Sequence, residues 1–145
     1  MEFINRLIHA LTELHPTHPM LVHFPIALTG AAFLFILLAY WRKNAALEQT
    51  AFANIVLAAL GTIAAGITGY MDNIKNYVGD APNAGTKIIL AIVLLILTAG
   101  ISIVRFRNPD LFQKSNRFLY IASYGLSFAI ALVLAFLGGV ILYGF

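Results

Sequence analysis

Four long stretches of this sequence, residues 20–41, 50–71, 88–104 and 119–143, contain no charged side chain. A bilayer core about 30 Å thick is crossed by roughly 20 apolar residues of helix, each rising about 1.5 Å. All four stretches are near that length. In lipid every backbone N–H must be satisfied within its own segment, so such runs read as helices. A membrane β-barrel shows short alternating segments instead. Only 10% of the 145 residues are charged, against about 25% in a soluble domain. The nine basic and six acidic residues all fall outside the apolar runs. A soluble globular domain and a disordered chain are both excluded, the latter because disorder needs low hydrophobicity. The expected fold is all-α: an integral membrane up-down four-helix bundle.

Absence of cysteine excludes structural disulfides, thiolate-held iron–sulfur clusters and covalent c-type haem. It leaves haem held by histidine open. The formal net charge of +3 does not point to nucleic acid, because basic residues at membrane edges have a topological explanation.

Residues 2–14 read differently. Phe3, Ile4, Leu7, Ile8, Leu11 and Leu14 recur at helical spacing, with Glu2, Arg6, His9 and Glu13 on the other side. This is an amphipathic helix suited to the membrane interface or to a partner subunit. Residues 1–19 thus form an interfacial arm with a His/Pro linker, and residues 20–145 form the bundle. His15-Pro16-Thr17-His18-Pro19 breaks the first helix. Pro19 suits the first position of span one, and Pro25 is expected to kink it. The first run is too long for a signal-peptide core and is followed by Arg42 and Lys43, so it reads as retained. Residues 42–49, 72–87 and 105–118 read as connections, the last with a short surface helix near Asn108-Pro109. Short connections favour antiparallel neighbours.

Arg42, Lys43, Arg105, Arg107, Lys114 and Arg117 lie on one side of the membrane, and Arg6, Lys75 and Lys87 on the other. The positive-inside rule puts the six-residue side in the cytoplasm of a bacterial inner membrane and both termini outside, in the periplasm. Gly61, Ala65 and Gly69 in span two, and Ala131, Ala135 and Gly139 in span four, form small-residue ridges of the kind that let helices approach in lipid. Tyr40, Trp41, Tyr70, Tyr120 and Tyr143 sit at span ends, as an aromatic belt requires.

The most distinctive stretch is His18-Pro19-Met20-Leu21-Val22-His23-Phe24-Pro25-Ile26-Ala27. With Gly66-Ile67-Thr68-Gly69-Tyr70-Met71-Asp72 and Gly138-Gly139-Val140-Ile141-Leu142-Tyr143, it resembles a family of small bacterial four-helix membrane proteins. That family is catalogued as domain of unknown function twenty-two thirty-one, and the resemblance covers nearly all of the chain after residue 17. Members often carry a histidine at the start of span three, where this chain has Thr86 and Lys87, and a His-Gly segment beyond the last tyrosine. Any site built on those histidines is incomplete here. Some members are fused to cytochrome c or Rieske-type domains, which implies a redox setting.

With the expected topology, His18, His23, Asp72, Lys87 and Tyr143 gather at one non-cytoplasmic mouth of the bundle. His23 sits about one turn inside span one, where a polar group must find a partner. In the structural reading it bonds the Leu21 carbonyl freed by Pro25, or Asp72. In the cofactor reading it ligates haem b or a chlorophyll. Asp72 is then an outer partner of the ring, and Ala27 and Gly30 leave room for a flat macrocycle. His18 is the second ligand candidate, but five residues from His23 is about 140° round a helix. One haem cannot be sandwiched between the two, and His15 or a neighbouring subunit has to supply the partner. A His15–His18 metal pair lacks a third ligand. Catalysis is not expected: no acid lies deep in a span, and the mid-span polar candidates Asn54, Thr62 and Thr98 are neutral. Thr98 and Ser102 are expected to bond their own helix. The residues suggest an outward-facing polar cluster and the resemblance implies the redox setting; together they lead to the expectation of a non-catalytic subunit or accessory module of a larger, redox or photosynthetic, membrane complex, or a homo-oligomer. A haem-b electron-transfer module is the alternative, and a small channel or transporter trails both.

Overall fold

The computed structural model describes residues 2–9 and 17–143, apart from the side chains of Leu7 and of residues 141–143. Among the described residues there are five α-helices, α1 (Glu2–His9), α2 (Thr17–Arg42), α3 (Ala45–Tyr77), α4 (Ala84–Arg107) and α5 (Arg117–Tyr143), and a 3-10 turn at Leu111–Gln113. The last four are each long and apolar enough to cross a membrane. They pack as a ring in which α2 touches α3 and α5, and α4 touches α3 and α5. This is the up-down bundle expected from the four runs and their short connections. In α1 the amphipathic pattern is realised over Glu2–His9; the remainder of the expected 2–14 helix lies outside the described residues.

Each spanning helix outruns its charge-free stretch. The α2–α3 turn occupies only Lys43 and Asn44, not residues 42–49. Lys43 adopts a left-handed φ of 52°, which lets the Asn44 amide close on the Ala39 carbonyl at 3.1 Å. Asn44 then caps α3, its Oδ1 accepting from the Ala46 amide at 2.8 Å, as an N-cap asparagine does. The second connection shrinks likewise, to residues 78–83. At the other end of α2 the helix begins at Thr17, so Pro19 lies third rather than first. It is tolerated there because the first-turn amides have no helical acceptor in any case. The helix continues through Pro25, and Thr29 Oγ1 donates back to the Pro25 carbonyl at 2.6 Å.

The buried positions recur at three- and four-residue spacing. They are Thr29, Ala32, Ile36 and Ala39 on α2, and Glu48, Ala51, Ile55, Ala58 and Thr62 on α3. On α4 they are Leu94, Thr98 and Ile101, and on α5 Tyr120, Tyr124, Ser127 and Ala131. The opposite faces expose Leu57, Leu60, Ile63, Ile89, Ile96 and Phe136, an apolar surface suited to lipid and not to water. Lipid gives helices no hydrophobic reason to associate, so close packing and polar ties must hold them. Both are present. Gly61 brings α3 against Pro25, whose Cδ lies 3.3 Å from the position of an added Cβ. On α2 and α5, Gly30 seats the Phe128 ring and Gly125 seats the Phe33 ring.

The polar tie lies at the end where α2 stops and α3 begins. Arg105 near the end of α4 grips Glu48 in the first turn of α3 with two bonds, Nε to Oε1 at 2.6 Å and Nη2 to Oε2 at 2.8 Å. Tyr120 of α5 donates its hydroxyl to Glu48 Oε1 at 2.9 Å, and the Tyr124 hydroxyl lies 2.8 Å from that of Tyr120. The Glu48 side chain is 4% exposed and that of Arg105 12%. Sequence reasoning placed Glu48 in a turn and Tyr120 in the aromatic belt. The structure corrects both: α3 begins at Ala45, ahead of its charge-free stretch, and Glu48 in its first turn is buried against Arg105 and Tyr120. Around this tie packs a dense cluster of Ile36, Ile55, Ile101, Ile121 and Tyr124.

Removing one member of a buried pair strands the other charge, at a cost of about 3–5 kcal/mol. Glu48→Gln and Arg105→Met are each expected to lower the melting temperature in mild detergent. The doubly neutral Glu48→Gln/Arg105→Met protein is expected to lose less than the sum. Additive losses in that double-mutant cycle would remove the tie from the account. Separately, Val78 ends α3 with φ 51° and its side chain is exposed. A left-handed β-branched residue is strained by about 1–2 kcal/mol, so Val78→Gly is expected to raise the melting temperature.

Candidate functional site

The opposite end of the bundle is hollow. A cavity of about 360 Å³ opens there, walled by all four spanning helices. Its floor is Thr62, Leu94 and Ala131, all buried. Its rim carries His18 and His23 from α2, Asp72 from α3 and Lys87 from α4. The expected clustering of these four at one mouth is therefore what the fold produces. Tyr143 lies among the side chains not described, and His15 lies outside the described residues.

His18 is held by a close approach. An added Cβ at Gly69 would sit 2.7 Å from its Cε1, so only glycine at 69 leaves space for the ring. The Thr68 hydroxyl donates to the Ala64 carbonyl at 3.0 Å, and its oxygen lies 3.4 Å from His18 Nδ1. The ring is also hydrogen-bonded to the backbone of Ala65. His23 has a nearer partner. Its Nδ1 donates to the Pro19 carbonyl, 2.5 Å away, and a carbonyl can only accept. When the His23 ring is neutral, Nε2 is then its accepting nitrogen. This corrects the structural reading of His23: its partner is neither the Leu21 carbonyl nor Asp72, because one helical turn back Pro19 offers an acceptor within its own helix.

Asp72 is likewise not an outer partner of His23. Its carboxylate accepts from Asn76 Nδ2, one turn along α3. It lies within electrostatic reach of His18 and Lys87. Among the described residues the Lys87 side chain forms no ion pair or hydrogen bond, while its amide donates to the Asn83 carbonyl at 3.0 Å. No group of three histidine, cysteine or acidic side chains among the described residues is placed to hold a metal ion.

The small residues divide into two kinds. On α3, Gly61 and Gly69 serve contact with α2, as the ridge predicted. On α5 the ridge does something else. Ala131 is buried, but Ala135, Gly138 and Gly139 line the cavity, and an added Cβ at Gly138 or Gly139 would meet nothing within 4 Å. Gly66 on α3 is equally open. These positions leave space where no helix comes to fill it. Conversely, Gly30 was expected to leave room for a macrocycle beside His23, and Phe128 fills that space. Thr98 and Ser102 bond their own helix carbonyls, at 2.8 and 2.7 Å, as expected.

Neither a curated protein nor a solved structure matches the chain. One family does, over residues 14–145, and its description is predicted membrane protein (DUF2231). The match takes in α2 through α5, the histidine motif and every residue lining the cavity. With that coverage, the chain belongs to the DUF2231 family of membrane proteins.

Proposed function

We propose that this multi-pass membrane protein is a non-catalytic accessory or anchor module of a larger complex, one serving electron transfer in a bacterial inner membrane. The observation that carries this reading is the asymmetry of the bundle. One end is closed by the Glu48–Arg105–Tyr120 tie, and the other presents His18, His23, Asp72 and Lys87 around an opening. A module built to recognise something needs one such face on a rigid base. The amphipathic helix α1 precedes α2 at that same end and exposes Phe3 and Ile4, so it adds a surface for the interface or for a neighbouring subunit. The redox setting comes from the family resemblance. In this reading the open end faces the periplasm, because six basic residues flank the closed end and three the other. Neighbouring membrane subunits are the partners, with a homo-oligomer as the other arrangement.

A second reading has one specific observation in its favour. Haem-ligating histidines commonly donate their other N–H to a backbone carbonyl, and His23 does so to Pro19, leaving Nε2 to ligate haem b. His18 could not complete the pair across one macrocycle, so the sixth position would fall to water or to another chain.

An absorption spectrum of the mildly solubilised protein, with its co-purifying chains identified by mass spectrometry, separates the two. The accessory reading expects oxidoreductase or reaction-centre subunits to co-purify and the isolated chain to be colourless. A Soret band that disappears in His23→Ala would establish the haem reading instead. Migration alone and colourless, with no associated subunit in gentle extracts, would defeat both. Orientation is checked by a periplasm-active reporter fused after Phe145, which is expected to be active. Activity there of a cytoplasmic reporter only would invert the assignment.

A further inference from the structure

The rim of the cavity carries both kinds of hydrogen-bonding group. His23 has Nδ1 engaged to Pro19, so its neutral ring offers an acceptor at Nε2. Asp72 is an acceptor as well. Lys87 is a cationic donor, half-buried at the start of α4, whose side chain has no ion pair or hydrogen bond among the described residues. Tyr70, Asn73 and Tyr77 also line the cavity. Below the rim the walls are apolar, with Ile88, Ala91 and Leu94 on one side and Ala135, Gly138 and Gly139 on another. The open glycines mean that this volume is not taken by packing. A polar head that brings an O–H to His23 Nε2 and an oxygen to Lys87 matches both groups. Its body must be apolar and dissolved in the bilayer.

We propose that the cavity binds a membrane-dissolved amphiphile with a hydroxyl head. The hydroxyl donates to Nε2 of His23, a head oxygen accepts from Lys87, and the apolar body lies against the glycine face of α5. A carbonyl head of equal shape can satisfy Lys87 but brings an acceptor to the His23 lone pair, so that hydrogen bond is lost. Two sources share the favoured chemistry: a hydroquinone, with hydroxyls on a flat ring, and an aliphatic alcohol such as a monoacylglycerol. The inference concerns the purified chain alone and does not need the partner complex proposed above, so either can fail without the other.

A matched pair of probes tests it. Decyl-hydroquinone, kept reduced under anaerobic conditions, and decyl-benzoquinone differ at the head by two protons and two electrons, so that two hydroxyls in one are two carbonyls in the other on a flat ring of nearly the same size. Native mass spectrometry from mild detergent reads how much of each is retained, with monoolein as a third probe. Hydroquinone or monoolein is expected to bind one per chain, at least tenfold tighter than the quinone. Gly139→Leu, which grows into open space, is expected to abolish that binding while leaving the melting temperature and helix content near wild type. Lys87→Met is expected to weaken it about tenfold. Retention of hydroquinone alone identifies the aromatic source, of monoolein alone the aliphatic one, and of both the shared head chemistry. Quinone held as tightly as hydroquinone, binding unchanged in a folded Gly139→Leu protein, or no retention of either hydroxyl probe would each overturn the proposal.

Discussion

The two-toothed grip of Arg105 on Glu48 is the interaction on which the bundle depends. In lipid, helix faces gain nothing from leaving the solvent, so a bundle needs directional ties and close contacts to choose one arrangement. Glu48 belongs to α3, Arg105 to α4 and Tyr120 to α5, so one carboxylate joins three of the four helices. Burying two charges is unfavourable in itself and becomes tolerable only with such full bonding. The termini help as well: Glu48 sits in the first turn of its helix and Arg105 in the last of its own, where the backbone dipoles favour those signs. Phe52 lies under the guanidinium at 5.3 Å, completing its contacts on the apolar side.

Securing one end changes what is possible at the other. The dense cluster and the tie occupy the half of the bundle near the α2–α3 turn. The glycine contacts at Gly61, Gly30 and Gly125 fix the middle. The far half does not then need to be filled to hold the helices in place, and glycines there can border empty volume. This explains why two sequence ridges that look alike behave differently. The α3 ridge faces Pro25 and His18, whereas the end of the α5 ridge faces the cavity.

Most of the architecture is legible in the sequence because the bilayer imposes so few choices. Twenty apolar residues without a charge admit one conformation, and short connections admit one neighbour order. What the charge-free runs misplace is the helix ends, since a helix does not stop at its first charged residue. Glu48 illustrates this: counted as part of a turn, it is in fact an interior residue. A signal was available in α5, where Tyr120, Tyr124, Ser127 and Ala131 recur at four, three and four. Two tyrosines on such a stripe in lipid need an interior partner, and Glu48 and Asp110 are the acids in the connections at the matching end. The mouth was legible for the same topological reason as the fold, since helix order alone brings His18, Asp72 and Lys87 to one end. The hydrogen bonds of His23 were not, because the choice between Pro19, Leu21 and Asp72 depends on a ring rotation that no spacing specifies.

Between the two ends lies a layer of hydroxyls, with Thr29, Thr62, Thr98 and Ser127 all buried and one on each spanning helix. A column of this kind could join the cavity to Glu48. The hydrogen bonds argue for a different role. Thr29 donates to Pro25 and Ile26, Thr62 to Ala58, Thr98 to Leu94 and Leu95, and Ser127 to Ser123. Every donor in the layer turns back to its own helix, as such residues do in apolar surroundings, so the hydroxyl protons bind each helix internally and do not link one helix to the next. The layer then acts as small, internally satisfied packing between a closed base and an open cavity. That arrangement suits a protein that holds something at one membrane face better than one that passes something across.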